Sequence, residues 1–540
     1  MRVIERLRDA GIDIPVFAGS VVIIVGLCLP LMLYPDVSGD VLGAAFDWLT
    51  HSLGVFYIAG AVITFCLLLY LALSDYGDIR LGADEPEFST VSWAGMLYCG
   101  GIGTSVLFWG TVEWAYYMQA PPFGVAPETD EARLWAMSYP MFHWGLLGWA
   151  FYCLPGVAVA YNYYVRGTNS LRLSSACELV LGSLAHGPVG RFIDLLFVIG
   201  LVGASSIGIG LAVPLIATLV ASIFGLDREA WGFGLDVLVI IGVTILFASS
   251  VWMGLEKGIR RLSDLNVRLA WLLLITILIV GPTLFILEGA VEAIGHMFQN
   301  FVRMSTWTDP NGTSNFVESW TVFYWAWWLA LGPYMGVFIT KISKGRTLRQ
   351  MILGCIGYGS FGCMCFFMIM GNYALYLETS GQLSVLQVLN EQGAPNLIVG
   401  ILSSLPFKEI ILVLFAAVCV IFAATSYDSS SYTLAASSTR SLKPTDHPAR
   451  WLRVFWAFLL GLLPISLIYV GGLKPLQSAV TLASVPLFFV AIIMTISLLK
   501  GLRSPNHGRN LRQNAVSDGV SSKVSGDNLA VAGAPKAEHS

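Results

Sequence analysis

Four tryptophans, Trp320, Trp325, Trp327 and Trp328, fall within the ten residues SWTVFYWAWW at 319–328. A second aromatic group, FHWGLLGWAFY at 142–152, holds Trp144, Trp149 and Tyr152. On a helix of about 100° per residue, Trp144, Tyr152 and Trp149 point to roughly 0°, 80° and 140°, so the three rings share one side. A buried indole needs an acceptor for its N–H, which makes such crowding unusual for a core. Ring faces attract a cation through their quadrupole, by about 0.5–2 kcal/mol per favourable contact. That chemistry suits a quaternary ammonium, which has no N–H to donate and spreads its charge over methyl groups. Neither stretch has an Asp or Glu at its centre, and Glu113 and Glu318 lie toward segment ends. A box of rings alone suits a zwitterion, whose own carboxylate can meet the free N–H groups of a helix end. Packing is the competing reading for any single ring. The interfacial aromatic belt is the other. It fits Trp320 at a segment end, but not Trp149, Trp327 and Trp328 near segment centres.

The elements that must position these rings are apolar. Of 540 residues, 56% are hydrophobic and 12% charged, and mean hydropathy is +0.72. Soluble chains carry about 25% charged residues. A spanning helix needs about 20 mostly apolar residues. Twelve segments meet this, with approximate limits 15–35, 53–74, 91–118, 136–162, 190–222, 233–252, 267–288, 318–340, 350–376, 408–438, 451–471 and 476–499. The fold class expected is an all-α integral membrane protein of twelve helices. Charge provides an independent check, because short cytoplasmic loops collect Lys and Arg. The N-terminus, every even-numbered gap and the tail are basic, including Arg166 and Arg172, Lys341 to Arg349, and Lys500 and Arg503; the alternate gaps are acidic or weakly charged. Both termini are therefore expected in the cytoplasm, in a multi-pass protein of the cell (inner) membrane. No cleavage motif follows the charged start MRVIERLRDAGIDIP, which reads as a cytoplasmic segment, 1–14, before a retained first helix. The membrane domain is 15–500, residues 289–304 read as an amphipathic surface helix, and 501–540 as a disordered tail.

A net charge of −4 argues against a nucleic-acid partner. The nine cysteines form no C-x-x-C pair, so neither a disulfide framework nor a zinc site is expected. The seven histidines are scattered, and no catalytic or metal site is expected; His143 beside Trp144 reads as a structural hydrogen-bonding residue. The run YCGGIGTSVLFWGTVEW at 98–114 crowds Gly100, Gly101, Gly103 and Gly110 into one span. Glycine costs a helix about 1 kcal/mol relative to alanine. Two readings stay open: close packing through small residues, or a broken helix whose freed backbone faces a cavity. A channel would need a polar pore with weak sites, which these rings do not build.

WTVFYWAWW with the following GPYMGVFITKISKGRTLRQ, the glycine-rich run, HWGLLGWAFY and GGLKPLQSA at 471–479 resemble the betaine/choline/carnitine transporter family, over roughly residues 10 to 500. The resemblance implies two inverted five-helix repeats, about 91–288 and 318–499, preceded by two helices, and a homotrimer in the lipid bilayer. It implies a substrate box of Trp144, Trp149, Tyr152 and Trp328, with backbone from Gly101, Ile102 and Gly103 and a pathway lined by Phe323, Trp325 and Trp327. Leu331 departs from the pattern, since betaine symporters carry a further tryptophan there. Choline carriers of the family place an aspartate where this chain has Ser105, so a zwitterion of the betaine, carnitine or γ-butyrobetaine type is the expected substrate. Thr425 and Ser426 match hydroxyls that hold a coupling sodium in some members. Met335 and Arg260 match the thioether and guanidinium that stand in for ions in the carnitine exchanger branch. Sodium-independent exchange by alternating access is the expectation, and a sodium-coupled glycine betaine or choline symporter the alternative. No cofactor is expected beyond Na+ as the coupling ion of the symporter alternative.

Overall fold

The computed structural model describes residues 11–82, 85–100, 103–168, 170–252, 256–440 and 447–504, without the side chains of 99, 250, 252 and 256–263. The protein is an all-α membrane protein. Among the described residues ten helices are long and apolar enough to cross a bilayer, eleven if a bent pair counts as one. The expected third span is not one of these. It is carried by two shorter helices, α3 (Thr90–Gly100) and α4 (Thr104–Gln119), which follow α1 (Ile14–Leu33) and α2 (Pro35–Leu73). The expected tail and start fall largely on residues 505–540 and 1–10, outside the described residues.

Local chemistry explains where the elements stop. Pro35 opens α2 at its first helical position, where the missing N–H costs nothing. The helix therefore begins well before the expected 53 and runs for 39 residues. The fourth segment is α5 (Asp130–His143) and α6 (Leu146–Ala160), joined at Trp144 and Gly145. Next come α7 (Pro188–Phe224), α8 (Arg228–Trp252) and α9 (Glu256–Val280). The seventh span, expected to run to 288, ends early. Pro282 lacks an N–H and restricts the residue before it, and α10 (Thr283–Gln299) leaves at 110° to α9. The expected surface helix thus starts at Thr283. It lays Ile286, Ala290, Ala293 and Met297 on the core, while Leu284, Leu287 and Val291 stay exposed. The second half comprises α11 (Phe323–Ile342), α12 (Leu348–Phe366), α13 (Asn372–Thr379), α14 (Val385–Ser403), α15 (Lys408–Ser437), α16 (Arg450–Val470) and α17 (Leu473–Leu502). None of the twelve expected spans covers α14, which is bent at Gly393, where φ is positive.

The basic loops meet at one end of the bundle. Arg80 donates to the Gly345 carbonyl at 3.0 Å, and Arg172 donates to the carbonyls of Thr439 and Arg440 at 2.7 and 2.9 Å. Arg172 also pairs with Asp194 at 3.3 Å and Asp13 at 3.8 Å, tying the start of α1 to α7. The tightest helix pair is α6 with α11. A methyl added at Gly336 would lie 2.7 Å from the Gly156 nitrogen, so the two backbones touch, as small residues allow inside a membrane. Gly336→Val is expected to wedge this pair apart at a cost of about 1–3 kcal/mol, lowering the apparent Tm of the detergent-purified protein. Gly295→Ala, which meets nothing within 4 Å, should not lower it; equal melting of the two variants would show the contact to be slack.

Candidate functional site

Trp144 is the residue at which α5 ends, and Gly145 caps the start of α6 with a non-helical backbone. The bend turns the Trp144 ring inward and leaves Trp149 and Tyr152 on the next turns of α6. Trp328 arrives from α11. The Trp144 and Trp328 rings stand 5.6 Å apart at 78°, Trp149 and Tyr152 5.5 Å apart at 78°, Trp149 and Trp328 6.2 Å apart at 51°, and Tyr152 and Trp328 4.4 Å apart at 55°. These are the angles of adjoining walls rather than of a stack. All four rings are buried. The Trp328 indole N–H has no acceptor among the described residues, and a buried donor left so is costly unless a ligand or water meets it.

Two glycines let the walls close. A methyl on Gly148 would lie 2.7 Å from the Trp328 ring and 2.8 Å from the His143 carbonyl, and one on Gly359 of α12 would lie 2.3 Å from the Trp149 ring. Wider π-helical turns flank the rings at Val317–Val322 and Phe367–Gly371, a feature frequent at functional sites. From the second of these, Phe367 packs 5.6 Å from Trp144.

Behind Trp144 lies a carboxylate that the sequence reading set aside as lying toward a segment end. Glu113 of α4 is fully buried. Its Oε2 accepts from Trp144 Nε1 at 3.0 Å and from the Tyr324 hydroxyl at 2.7 Å. Its Oε1 accepts from the Tyr117 hydroxyl at 2.6 Å. Tyr117 in turn lies 2.9 Å from His143 Nδ1, and His143 Nε2 lies 3.1 Å from the Thr321 hydroxyl. The signal for Glu113 was available: a lone carboxylate inside an apolar segment is a functional candidate by default.

The remaining expected residues divide. Trp327 packs 5.6 Å from Trp144 and donates to the Ala204 carbonyl of α7 at 3.2 Å. Phe323 stacks on Trp327 at 5.8 Å and 20°. Trp325 turns elsewhere, against Phe142 at 5.6 Å and Phe151 at 6.0 Å. Leu331 is half-buried. Trp320, offered to the interfacial belt, is buried beside Trp109 at 5.7 Å and Tyr117 at 5.0 Å. The glycine run does interrupt its helix: Gly103 is extended immediately before α4, so the first N–H groups of α4 follow no continuous helical turn. Gly101 and Ile102, and the Arg260 side chain, lie outside the described residues. Ser105 faces α7, where a methyl on Gly208 would lie 3.3 Å from its hydroxyl. At the interruption, methyls on Gly103 and Gly100 would lie 4.0 Å from Ser426 Oγ and 3.2 Å from Met335 Cε. Thr425 donates to the Phe422 carbonyl at 3.0 Å.

Residues 15–507 match the model of the BCCT, betaine/carnitine/choline family transporter. The chain belongs to this family. Among similar proteins is one named uncharacterized transporter YeaV of Escherichia coli, 38% identical over 438 residues, 81% of this chain and 90% of that protein. Another is named carnitine transporter, from Acinetobacter baumannii, 36% identical over 462 residues, 85% of this chain and 84% of that protein. The protein is therefore a membrane-embedded transporter.

In this transporter Glu113→Gln would put an amide N–H₂ against donors that already point at it. A buried donor left unmet costs about 1–3 kcal/mol. The variant is expected to melt earlier than the native protein and to alter the tryptophan emission spectrum through Trp144, whereas Glu288→Gln, exposed on α10, should change neither. An unchanged spectrum and melting point in Glu113→Gln would remove the carboxylate from the site.

Proposed function

We propose that the transporter carries a zwitterion of the betaine, carnitine or γ-butyrobetaine type, and that Trp144, Trp149, Tyr152 and Trp328 enclose its methylated ammonium. The observation that carries this reading is the meeting, from two helices far apart in sequence, of four rings set as walls of one box. The Glu113 carboxylate strengthens it. A Glu113 oxygen accepts the Trp144 N–H at 3.0 Å, which polarises the indole and favours a cation over the ring face. Tyr117, Trp144 and Tyr324 all donate to it, so it supports the box from behind rather than binding the ammonium directly. The substrate's own carboxylate is then left to the N–H groups at the start of α4, which follows the extended Gly103; the resemblance adds backbone of Gly101 and Ile102 to this proposal. Ser105 places no charge there, which disfavours choline. The relative named carnitine transporter agrees in substrate class.

A cavity of about 1250 Å³ opens at the basic end of the bundle, lined by Arg172, Lys341 and Tyr432 and reaching Phe197, Pro333 and Tyr334. Pro333 lies five residues beyond Trp328 on α11, so this vestibule approaches the box. By the positive-inside rule it faces the cytoplasm, with both termini on that side; one side open and the other packed with Trp109, Tyr116 and Trp320 is one half of an alternating-access cycle. Met335 at the interruption of the glycine-rich span favours sodium-independent exchange, with Arg260 as the fixed cation. Ser426 beside Gly103 favours the second reading, sodium-coupled symport with Thr425 as its companion. The homotrimer remains part of the proposal.

Removing one ring, as in Trp328→Ala or Trp144→Ala, is expected to weaken carnitine or betaine binding by about 10-fold or more, while Trp328→Tyr retains most of it, as a contact of roughly 0.5–2 kcal/mol plus lost burial requires. Titration by tryptophan fluorescence reads this directly. Choline binding more tightly than betaine and carnitine would overturn the substrate class. In proteoliposomes, counterflow at equal rates with and without a sodium gradient supports exchange; strict sodium dependence would move the assignment to symport.

A further inference from the structure

A second cavity, of about 340 Å³, opens on the flank of the bundle between α2 and α17. One wall is a single stripe of α2 running from Phe56 through Gly60, Ile63 and Thr64 to Leu67, at the spacing of one helical face. At 1.5 Å per residue this wall is about 16 Å long. The opposite wall is α17 from Leu487 to Ile496. The floor is formed by the backs of the two box helices, Phe151 and Pro155 of α6 and Leu329 and Pro333 of α11. Those floor residues are buried, whereas Phe56, Ile63 and Ile492 at the rim are 55%, 65% and 45% exposed. The cavity is thus a long slot that starts at the lipid-facing surface and reaches the core.

The lining excludes a polar ligand. Its only hydroxyls are Thr64 and Thr495, and Thr495 already donates to the Ala491 carbonyl at 2.7 Å. A helix of another copy, about 10–12 Å across with its side chains, could insert single side chains but would leave the floor uncovered. A flexible hydrocarbon chain fits both length and chemistry. Charge completes the match. Ile492 and Ile496 of the slot continue at four-residue spacing to Lys500 and then Arg503, both exposed at the basic end of the bundle, so the same helical stripe leads from the slot to two cations.

We propose that this slot holds one acyl chain of an anionic phospholipid, with Lys500 and Arg503 at its headgroup. The chain would press on α6 and α11 at their prolines, where each helix lacks a backbone hydrogen bond. Pro333 also borders the vestibule, so lipid and vestibule lie on either side of one turn of α11. Occupancy of the slot thereby stiffens the side of the box opposite the pathway.

Native mass spectrometry of the full chain, purified and relipidated with phosphatidylglycerol or phosphatidylcholine, tests this without relying on the transported substrate. The native protein is expected to retain one phospholipid per chain and to prefer phosphatidylglycerol about 10-fold. Ala491→Trp fills the slot and should release the lipid; if it does not fold, Ala59→Trp fills it from the other wall. Lys500→Gln with Arg503→Gln should keep a lipid and lose the preference for phosphatidylglycerol. Unchanged retention in a correctly melting slot-filling variant overturns the proposal. So does an unchanged headgroup preference in the double variant, or loss of self-association with lipid retention intact, which would make the slot an interface between copies.

Discussion

An indole N–H buried inside a membrane protein must give its proton to an acceptor, and Trp144 gives it to Glu113. Much of the surrounding structure follows from that bond. Lipid offers no water to satisfy a stray polar group, so each one has to be met internally. Glu113 in turn needs donors, and Tyr117 and Tyr324 supply them from its own helix and from α11. Tyr117 is steadied by His143, one residue before the ring that began the chain, and His143 by Thr321. The network therefore connects α4, the joint between α5 and α6, and the start of α11. These are the elements on which the ring box depends.

Close backbone contact is the second constraint. The rings are large, yet the helices carrying them touch. Gly336 against Gly156, and Gly148 against the Trp328 ring, remove the volume that would otherwise hold α6 and α11 apart. Gly336 and Gly156 sit a turn or more from the box rings, whereas Gly148 leaves the space that the Trp328 ring occupies. The interruption at Gly145 serves the same end. It spoils helix geometry at one place, and thereby puts Trp144 across from Trp328 rather than along the outer side of α5.

The apolar segments and the alternation of loop charge were legible because both follow from the bilayer as solvent. The basic loops do gather at one end of the bundle, as Arg80 with Gly345 and Arg172 with Arg440 show. The ring types were legible in the runs at 142–152 and 319–328, but the continuous helix assumed between Trp144 and Trp149 is broken at Gly145, and it is this bend, with the arrival of Trp328, that brings the rings together. What stayed hidden were properties of pairs. Nothing in the composition of α4 says that the lone Glu113 meets an indole on α5, because that contact is closed by tertiary packing. The role of Gly148 depends on a ring 180 positions away. Trp325 and Trp320 show the limit in the other direction: residues of the right type in the right run turn into packing because the helix points them away. The end of the seventh span was missed because hydropathy continues smoothly across Pro282 while the backbone does not.

The carboxylate behind the box also bears on how a zwitterion would lie, within the proposed reading. The Glu113 oxygens turned toward Trp144 set a negative potential on that side, which favours the ammonium end over the carboxylate end. The start of α4 does the reverse, since its N–H groups and helix dipole favour an anion. Both influences belong to the same helix: Glu113 stands less than three turns from Thr104. A dipolar solute between them is therefore aligned, methyl groups toward the rings and carboxylate toward the interrupted glycine run. A simple cation would gain from the first influence and lose to the second. On this argument α4 itself discriminates between zwitterion and cation, and an acidic side chain at position 105 would cancel its second influence, whereas Ser105 leaves it standing.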